Sequence, residues 1–228
     1  MHNFCILFLS FIIYSIMGYF LEVTSILVGE KKLTLNRGFL IGPYLPIFGI
    51  GALIALYPLE KYENDLFVLF IASFLLCGIL EYVTSYLMER LYGFRWWDYS
   101  KKKYNINGRI CLKNLLFFGI VSVLLVKYVN PFVNNILESI DKDILFAGTM
   151  IIAVMFLLDV IVSMIIANQL KHKLVINKIM DSTKEIKAEV KKTLENSNIF
   201  IRRILRSFPD VPKILGIPKS YLRKKKSK

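Results

Sequence analysis

Apolar residues fall in five runs along the chain, at approximately 4–29, 39–58, 66–88, 110–130 and 144–169. Each approaches or exceeds the ~20 helical residues that cross a hydrocarbon core. The pattern predicts an all-α, polytopic membrane protein with five transmembrane helices. The first run lacks a basic leading region and a small-residue cleavage site and carries Glu22 inside it, so a retained helix is expected rather than a cleaved signal peptide. The second opens on Gly42-Pro43-Tyr44-Leu45-Pro46. Each proline removes a backbone donor and disfavours helix in the residue before it, which predicts a kinked or unwound entry. Past residue 170 the pattern changes. Ser182 and Glu185 have the spacing of a capping box, and Ile179, Ile186, Val190 and Leu194 form an apolar stripe. A second stripe, Ile201, Ile204, Leu205 and Phe208, runs beside Arg202, Arg203 and Arg206 and ends at Pro209. Two units are expected: a transmembrane domain over 1–170 and a basic, amphipathic helical tail over 171–228, suited to the inner-leaflet interface.

Charge orients this arrangement. Of the 30 Lys and Arg residues, 27 lie in segments 30–38, 89–113 and 171–228, and only Lys61, Lys127 and Lys142 lie between the alternate runs. Positive segments stay in the cytoplasm, so the N-terminus is expected outside and the tail inside. The 228 residues are 55% hydrophobic, with mean hydropathy +0.52 and net charge +13. Most of the excess charge sits in the tail, which points to anionic inner-leaflet lipids rather than nucleic acid as the partner. Cys5, Cys77 and Cys111 fall at different depths, against a disulfide framework. His2 and His172 fall on opposite sides, and no spacing of ligands for zinc or haem is present. No metal or cofactor is expected.

Runs one and two overlay runs three and four. Glu22-Val23-Thr24-Ser25 echoes Glu81-Tyr82-Val83-Thr84-Ser85, and Gly38 to Gly49 overlays Gly108 to Gly119 with Leu45/Leu115 and Phe48/Phe118 in common. The expectation is two tandem helix-pair repeats plus one unpaired helix. Chance similarity between apolar helices is the competing reading.

Charged side chains inside spans cost at least ~2.5–3.5 kcal/mol on insertion scales and face a partner or water. Glu22, Glu81 and Asp159 all lie on the cytoplasmic halves of their helices, each on a stripe of small or polar residues. Arg109, Lys113 and Asn114 mark the inner end of span four, with Arg109 and Lys113 one turn apart and within reach of Glu81 or Glu89. Glu22, Glu81, Asp159, Arg109 and Asn114 are therefore the candidates for a substrate or ion site. Ion pairs that only fix helix packing are the alternative. The loop before span four adds Trp96, Trp97, Asp98, Tyr99 and Asn107. The aromatics read as a headgroup-level belt before a ligand platform. Asp98 reads as a clamp onto Arg109 or a holder of a cationic group.

This loop carries a resemblance. Trp97-Asp98-Tyr99-Ser100, the Asn107-Gly108 entry to the next helix, the acids in the preceding spans and the Arg202 to Pro209 segment ending in Phe-Pro resemble the bacterial membrane proteins described as ABC-transporter type IV permeases. The resemblance covers the first span through the tail and implies a permease subunit in the bacterial cell membrane. No Gly-x-x-x-x-Gly-Lys-Ser/Thr phosphate loop occurs, so ATP-driven work requires a separate ATPase subunit. Five spans are few for a solitary conduit, which adds homo-oligomerisation as a route to a pore. Two other classes stay open: a membrane enzyme acting on a lipid headgroup with one of the three acids as acid or base, and an assembly or sensor protein recruiting a soluble partner through its tail. No nucleophile–base arrangement stands out, which ranks the enzyme third.

Overall fold

The computed structural model describes residues 1–31, 33, 35, 38–93, 95–179 and 203. The expected capping box at Ser182 and both tail stripes lie outside the described residues, apart from Ile179 at the end of the last helix; Arg203, beside the second stripe, is described. The helices are α1 (His2–Glu30), α2 (Pro46–Leu56), α3 (Leu66–Tyr92), α4 (Leu112–Leu124), α5 (Asn130–Ser139) and α6 (Lys142–Ile179). Four stretches are long and apolar enough to cross a membrane: His2–Gly29, Leu66–Tyr92, Leu112–Ser139 and Lys142–His172. Side chains such as Phe67, 75% exposed, and Val154, 59% exposed, stand on the outer surface of these helices. A bundle in water would bury such faces, whereas hydrocarbon solvates them. Helix α6 continues without a break through residue 171, so the expected boundary between membrane domain and tail falls inside one helix.

The second apolar run departs from a continuous span. Only Pro46–Leu56 is helical, about 16 Å at 1.5 Å per residue, roughly half of a ~30 Å core. Residues 38–45 are non-helical, as Pro43 and Pro46 predict. Gly38 adopts φ +88°, a left-handed backbone that favours glycine, and a Cβ there would also displace the tip of Leu45. The segment reaches the middle of α1, where Leu45 N donates to Ser15 O at 2.9 Å. Irregular backbone is tolerated at such depth only inside protein, and Leu40 is 1% exposed.

Short side chains let the helices approach. A Cβ on Gly49 of α2 would meet Ser15 Oγ and the Phe11 carbonyl of α1, and one on Gly119 of α4 would meet the Phe70 ring of α3. Small residues at such crossings are how membrane helices gain packing without a hydrophobic drive. Asp65 caps α3 by accepting from Val68 N at 3.1 Å, and Gly93 ends it at φ 79°. Between α4 and α5 the chain widens to a π turn, Leu125–Val129, in which Asn130 N donates to Leu125 O. Pro131 follows. It cannot donate to the residue 127 carbonyl and its ring would strike it, and the extra residue in the turn relieves both defects. The fourth run thus extends past 130 to Ser139.

One element breaks the all-α expectation. Asn105–Ile106 (β1) and Ile110–Cys111 (β2) pair antiparallel, Asn105 with Cys111 and Ile106 with Ile110. Three residues connect the strands: Asn107 and Gly108, at φ 52° and 67°, form the left-handed pair of a tight turn closed by Arg109 N donating to Ile106 O at 3.0 Å, and Arg109 is the third. This hairpin folds back along the last turns of α3 and delivers the chain into α4.

Candidate functional site

Three polar centres emerge, and they separate residues that the sequence groups together. The first lies where the hairpin loop meets α3 and α4. Asn114 Nδ2 on the first turn of α4 donates to Tyr99 Oη at 2.7 Å, and that hydroxyl donates to Glu81 Oε1 at 3.1 Å. Tyr99 is aimed by its own backbone: its amide donates to Gly108 O at 2.7 Å across the loop. Burial first, and then the Glu81 and Glu22 carboxylates, push the Tyr99 phenol well above its ordinary range. Tyr99 is therefore a hydrogen-bond donor at every physiological pH. Glu81 is 4% exposed, and its Oε2 makes no hydrogen bond.

Glu81 also lines a half-open pocket of about 230 Å³ among α1, α2, α3, α4 and the π turn. Its wall is almost wholly apolar, including Met17, Leu21, Phe48, Leu80 and Phe118, with Tyr14, Cys77 and Ser122 as the other polar side chains. Phe48 and Phe118, the pair matched in the sequence overlay, meet edge to face with ring centroids 5.6 Å apart. Toward the opposite end Tyr14 Oη donates to Asn130 Oδ1 at 2.8 Å. Neither Glu22 nor Asp159 lines this cavity among the described residues.

Arg109 forms the second centre, and its partner is Glu89. The guanidinium pairs with Glu89 Oε2, donates to Ser85 Oγ at 3.3 Å and lies over the Tyr82 and Tyr86 rings at 5.6 and 5.4 Å. It is 8% exposed, and stacking on two rings compensates part of its desolvation. Arg95 Nε adds a 3.2 Å contact to the same Glu89. Lys113 is exposed. The loop candidates mostly build this corner. Asn107 Nδ2 donates to Tyr82 Oη at 2.9 Å, Trp97 Nε1 donates to Arg109 O at 3.0 Å, and Arg95 Nη1 donates to Asn107 O at 2.9 Å. Asp98 does not clamp Arg109. It accepts from Ser100 N at 3.0 Å and from Ser100 Oγ and lies 3.9 Å from Arg95 Nη1. The Ser100 hydroxyl chiefly, then its amide and the nearby cations, hold the Asp98 carboxyl below the usual carboxylate range against a smaller opposing effect of burial. Trp96 is no belt residue. It is 2% exposed and packs edge to face on Phe39 and Tyr92, with centroids 5.3 and 5.5 Å away, tying the hairpin loop to the irregular segment before α2.

Asp159 is the third centre. Its Oδ1 accepts from Ile41 N at 2.8 Å and Ser163 Oγ at 2.9 Å, and its Oδ2 from Gly42 N at 2.7 Å and from Tyr44 Oη. Both oxygens are thus committed to the irregular segment and to the next turn of α6. Arg203 donates to Leu40 O and to Ile41 O, the latter at 2.9 Å. At this residue the tail contacts backbone carbonyls of the membrane domain. Nothing in the residue pattern links Asp159 to Ile41, 118 positions earlier, and Tyr44 and Arg203 were missed as its neighbours.

These features define a helical membrane protein with an apolar pocket among its helices and one carboxylate residue in its lining. The chain belongs to the family described as "Putative ABC-transporter type IV", whose sequence profile matches residues 9–164. No curated protein and no solved structure matches the chain. Family and helices together make it a permease-like membrane protein, as the loop and acid motifs imply.

Proposed function

We propose that this chain is the membrane-embedded subunit of an ATP-driven transporter in the bacterial cell membrane, with the cavity among α1, α2, α3 and α4 as its substrate chamber. The observation that carries the reading is Glu81, a buried acid within a membrane helix that lines the chamber and accepts from the Tyr99 hydroxyl. Tyr99 and Asn114 position Glu81 through the hydrogen-bond chain that runs from α4 to the chamber wall. Asp159 and Arg109 hold the irregular segment and the hairpin in place around it. Glu22 adds negative potential at the same end.

The proposed topology keeps the N-terminus outside and the tail in the cytoplasm, on the division of basic residues. That orientation requires an odd number of crossings, so α2 with its folded entry, 38–45, is assigned the fifth. The two-repeat arrangement draws support from the Phe48–Phe118 contact and the matching close approaches at Gly49 and Gly119. Drive comes from a separate ATPase subunit, with a second copy of the chain completing a path if one does not suffice, and the tail adds affinity for anionic lipids. Isolation of the native complex in mild detergent tests the reading. An accompanying subunit that carries a phosphate-binding loop and hydrolyses ATP is expected. A chain that purifies without one, or that turns over a bound lipid headgroup, overturns it.

A further inference from the structure

Two consecutive peptide groups of the irregular segment are held at both ends by opposite charges. The peptide between Leu40 and Ile41 donates its amide to Asp159 Oδ1 at 2.8 Å, and its carbonyl accepts from Arg203. The next peptide, between Ile41 and Gly42, donates to Asp159 Oδ2 at 2.7 Å and accepts from Arg203 Nη2 at 2.9 Å. Both peptides are trans, so N–H and C=O point in opposite directions. The carboxylate and the guanidinium therefore stand on opposite sides of the backbone, with two peptide dipoles aligned between them. Each charge polarises the group that the other one binds, which strengthens both sets of contacts. Backbone carbonyls at membrane depth need such donors.

The contact joins distant parts of the chain. Helix α6 carries the backbone about 30 Å from Asp159 to its end at Ile179, yet Arg203 lies back beside the residues that Asp159 holds. Tyr19 of α1 and Tyr44 lie near the same guanidinium. Acid, tyrosines and carbonyls make this notch a receptor for a cationic donor. The segment leads directly into α2, whose Ile47, Phe48, Gly51 and Ala52 form one wall of the pocket. Its other polar holds, Ser15 on α1 and Asp159 on α6, belong to membrane spans. Arg203 lies beyond them and can leave without moving a span. We propose that the tail is a strap, seated through Arg203 in the notch between segment 38–45 and Asp159, and that seating it fixes the α2 wall of the pocket. The strap acts whatever the pocket carries, so it stands or falls separately from the transporter reading.

The test uses the full chain in nanodiscs of phosphatidylcholine. Hydrogen exchange of the peptide that contains Ile41 and Gly42 is followed by mass spectrometry beside peptides of α3. Arg203→Gln should speed exchange of these two amides about ten- to a hundredfold, the worth of one hydrogen bond from a charged donor, and leave α3 unchanged. Arg203→Lys, which keeps a cationic donor, should stay nearer wild type, and Arg202→Gln and Arg206→Gln should match wild type. The wall is read at Cys77, whose Sγ would lie 3.7 Å from a Cβ on Gly51 of α2. In a background carrying Cys5→Ser and Cys111→Ser, methyl methanethiosulfonate should modify Cys77 severalfold faster once Arg203→Gln is added. Wild-type exchange in Arg203→Gln, or equal acceleration by Arg202→Gln and Arg206→Gln, overturns the seating. Acceleration that extends through α3 overturns it too, because Arg203 then holds the whole bundle rather than this segment. A Cys77 rate that Arg203→Gln leaves unchanged, no reaction in either protein included, overturns the hold on the pocket wall.

Discussion

Replacing Asp159 with asparagine removes one of two oxygens that together accept four hydrogen bonds, and the structure sets what that costs. If the remaining carbonyl keeps Ile41 N and Ser163, the new amide group faces Gly42 N and the Tyr44 hydroxyl. Gly42 then presents a donor to a donor inside the protein. A lost hydrogen bond to a charged group costs ~1.5–3 kcal/mol, and a stranded buried amide ~1–3 kcal/mol, with partial relief from rotation of Tyr44. The expected loss is about 2–4 kcal/mol. In a chain of this size, at roughly 2–4 °C per kcal/mol, the apparent Tm should fall by about 4–15 °C. Unfolding from detergent is commonly irreversible, so wild type and variant must be compared at one scan rate. A second readout localises the effect: the Tyr44–Pro46 region should become sensitive to protease in Asp159→Asn below its Tm. An unchanged Tm together with unchanged proteolysis refutes the assignment of Asp159 as the anchor of this segment.

Glu81→Gln should behave oppositely, with equal or higher Tm in the same scans because a buried charge is removed while the Tyr99 donor keeps an acceptor, yet with loss of the cellular phenotype. In a double-mutant cycle, Arg109→Gln with Glu89→Gln should show a coupling of about 1–3 kcal/mol, and Arg109→Gln with Glu81→Gln should be additive within about 0.5 kcal/mol. Gly49→Ala should lower the Tm because a Cβ would lie 2.6 Å from the Phe11 carbonyl, whereas Gly51→Ala, with its nearest contacts at 3.7 Å, should be neutral or stabilising. The depressed Asp98 carboxyl contributes order to the hairpin that is fully present above the unfolded value near ~3.9 and is lost as pH falls through its lower folded value. Tryptophan fluorescence should report that acid transition, and Asp98→Asn should abolish it.

How much of this was legible in the residues differs from element to element. Four spans followed from run length, whereas the second run holds only the eleven-residue α2, whose unwound entry followed from two prolines with local backbone consequences. The hairpin was equally local. Asn107-Gly108 is a dipeptide suited to a left-handed tight turn, but between two membrane helices it reads equally as a helix entry. Periodicity placed Arg109 on a face with two carboxylates in reach and could not choose between them, because the choice depends on how far the hairpin folds back along α3. Asp159 was the least legible. Its partners are backbone amides, which every residue has and no sequence pattern marks. Glu81 was found as an intramembrane acid, but its difference from Asp159 lies in an unpartnered oxygen beside a cavity, a property of four packed helices.

The most direct test of a transport chamber is the aqueous accessibility of Cys77 in the complete native complex, in oriented vesicles and in a background lacking Cys5 and Cys111. A membrane-impermeant cationic thiol reagent is applied to each face in turn, with and without ATP. Cys77 should react from one face in the nucleotide-free state and from the other when ATP is bound, and both reactions should slow in Glu81→Gln. A Cys77 closed to both faces in every nucleotide state contradicts the proposed chamber.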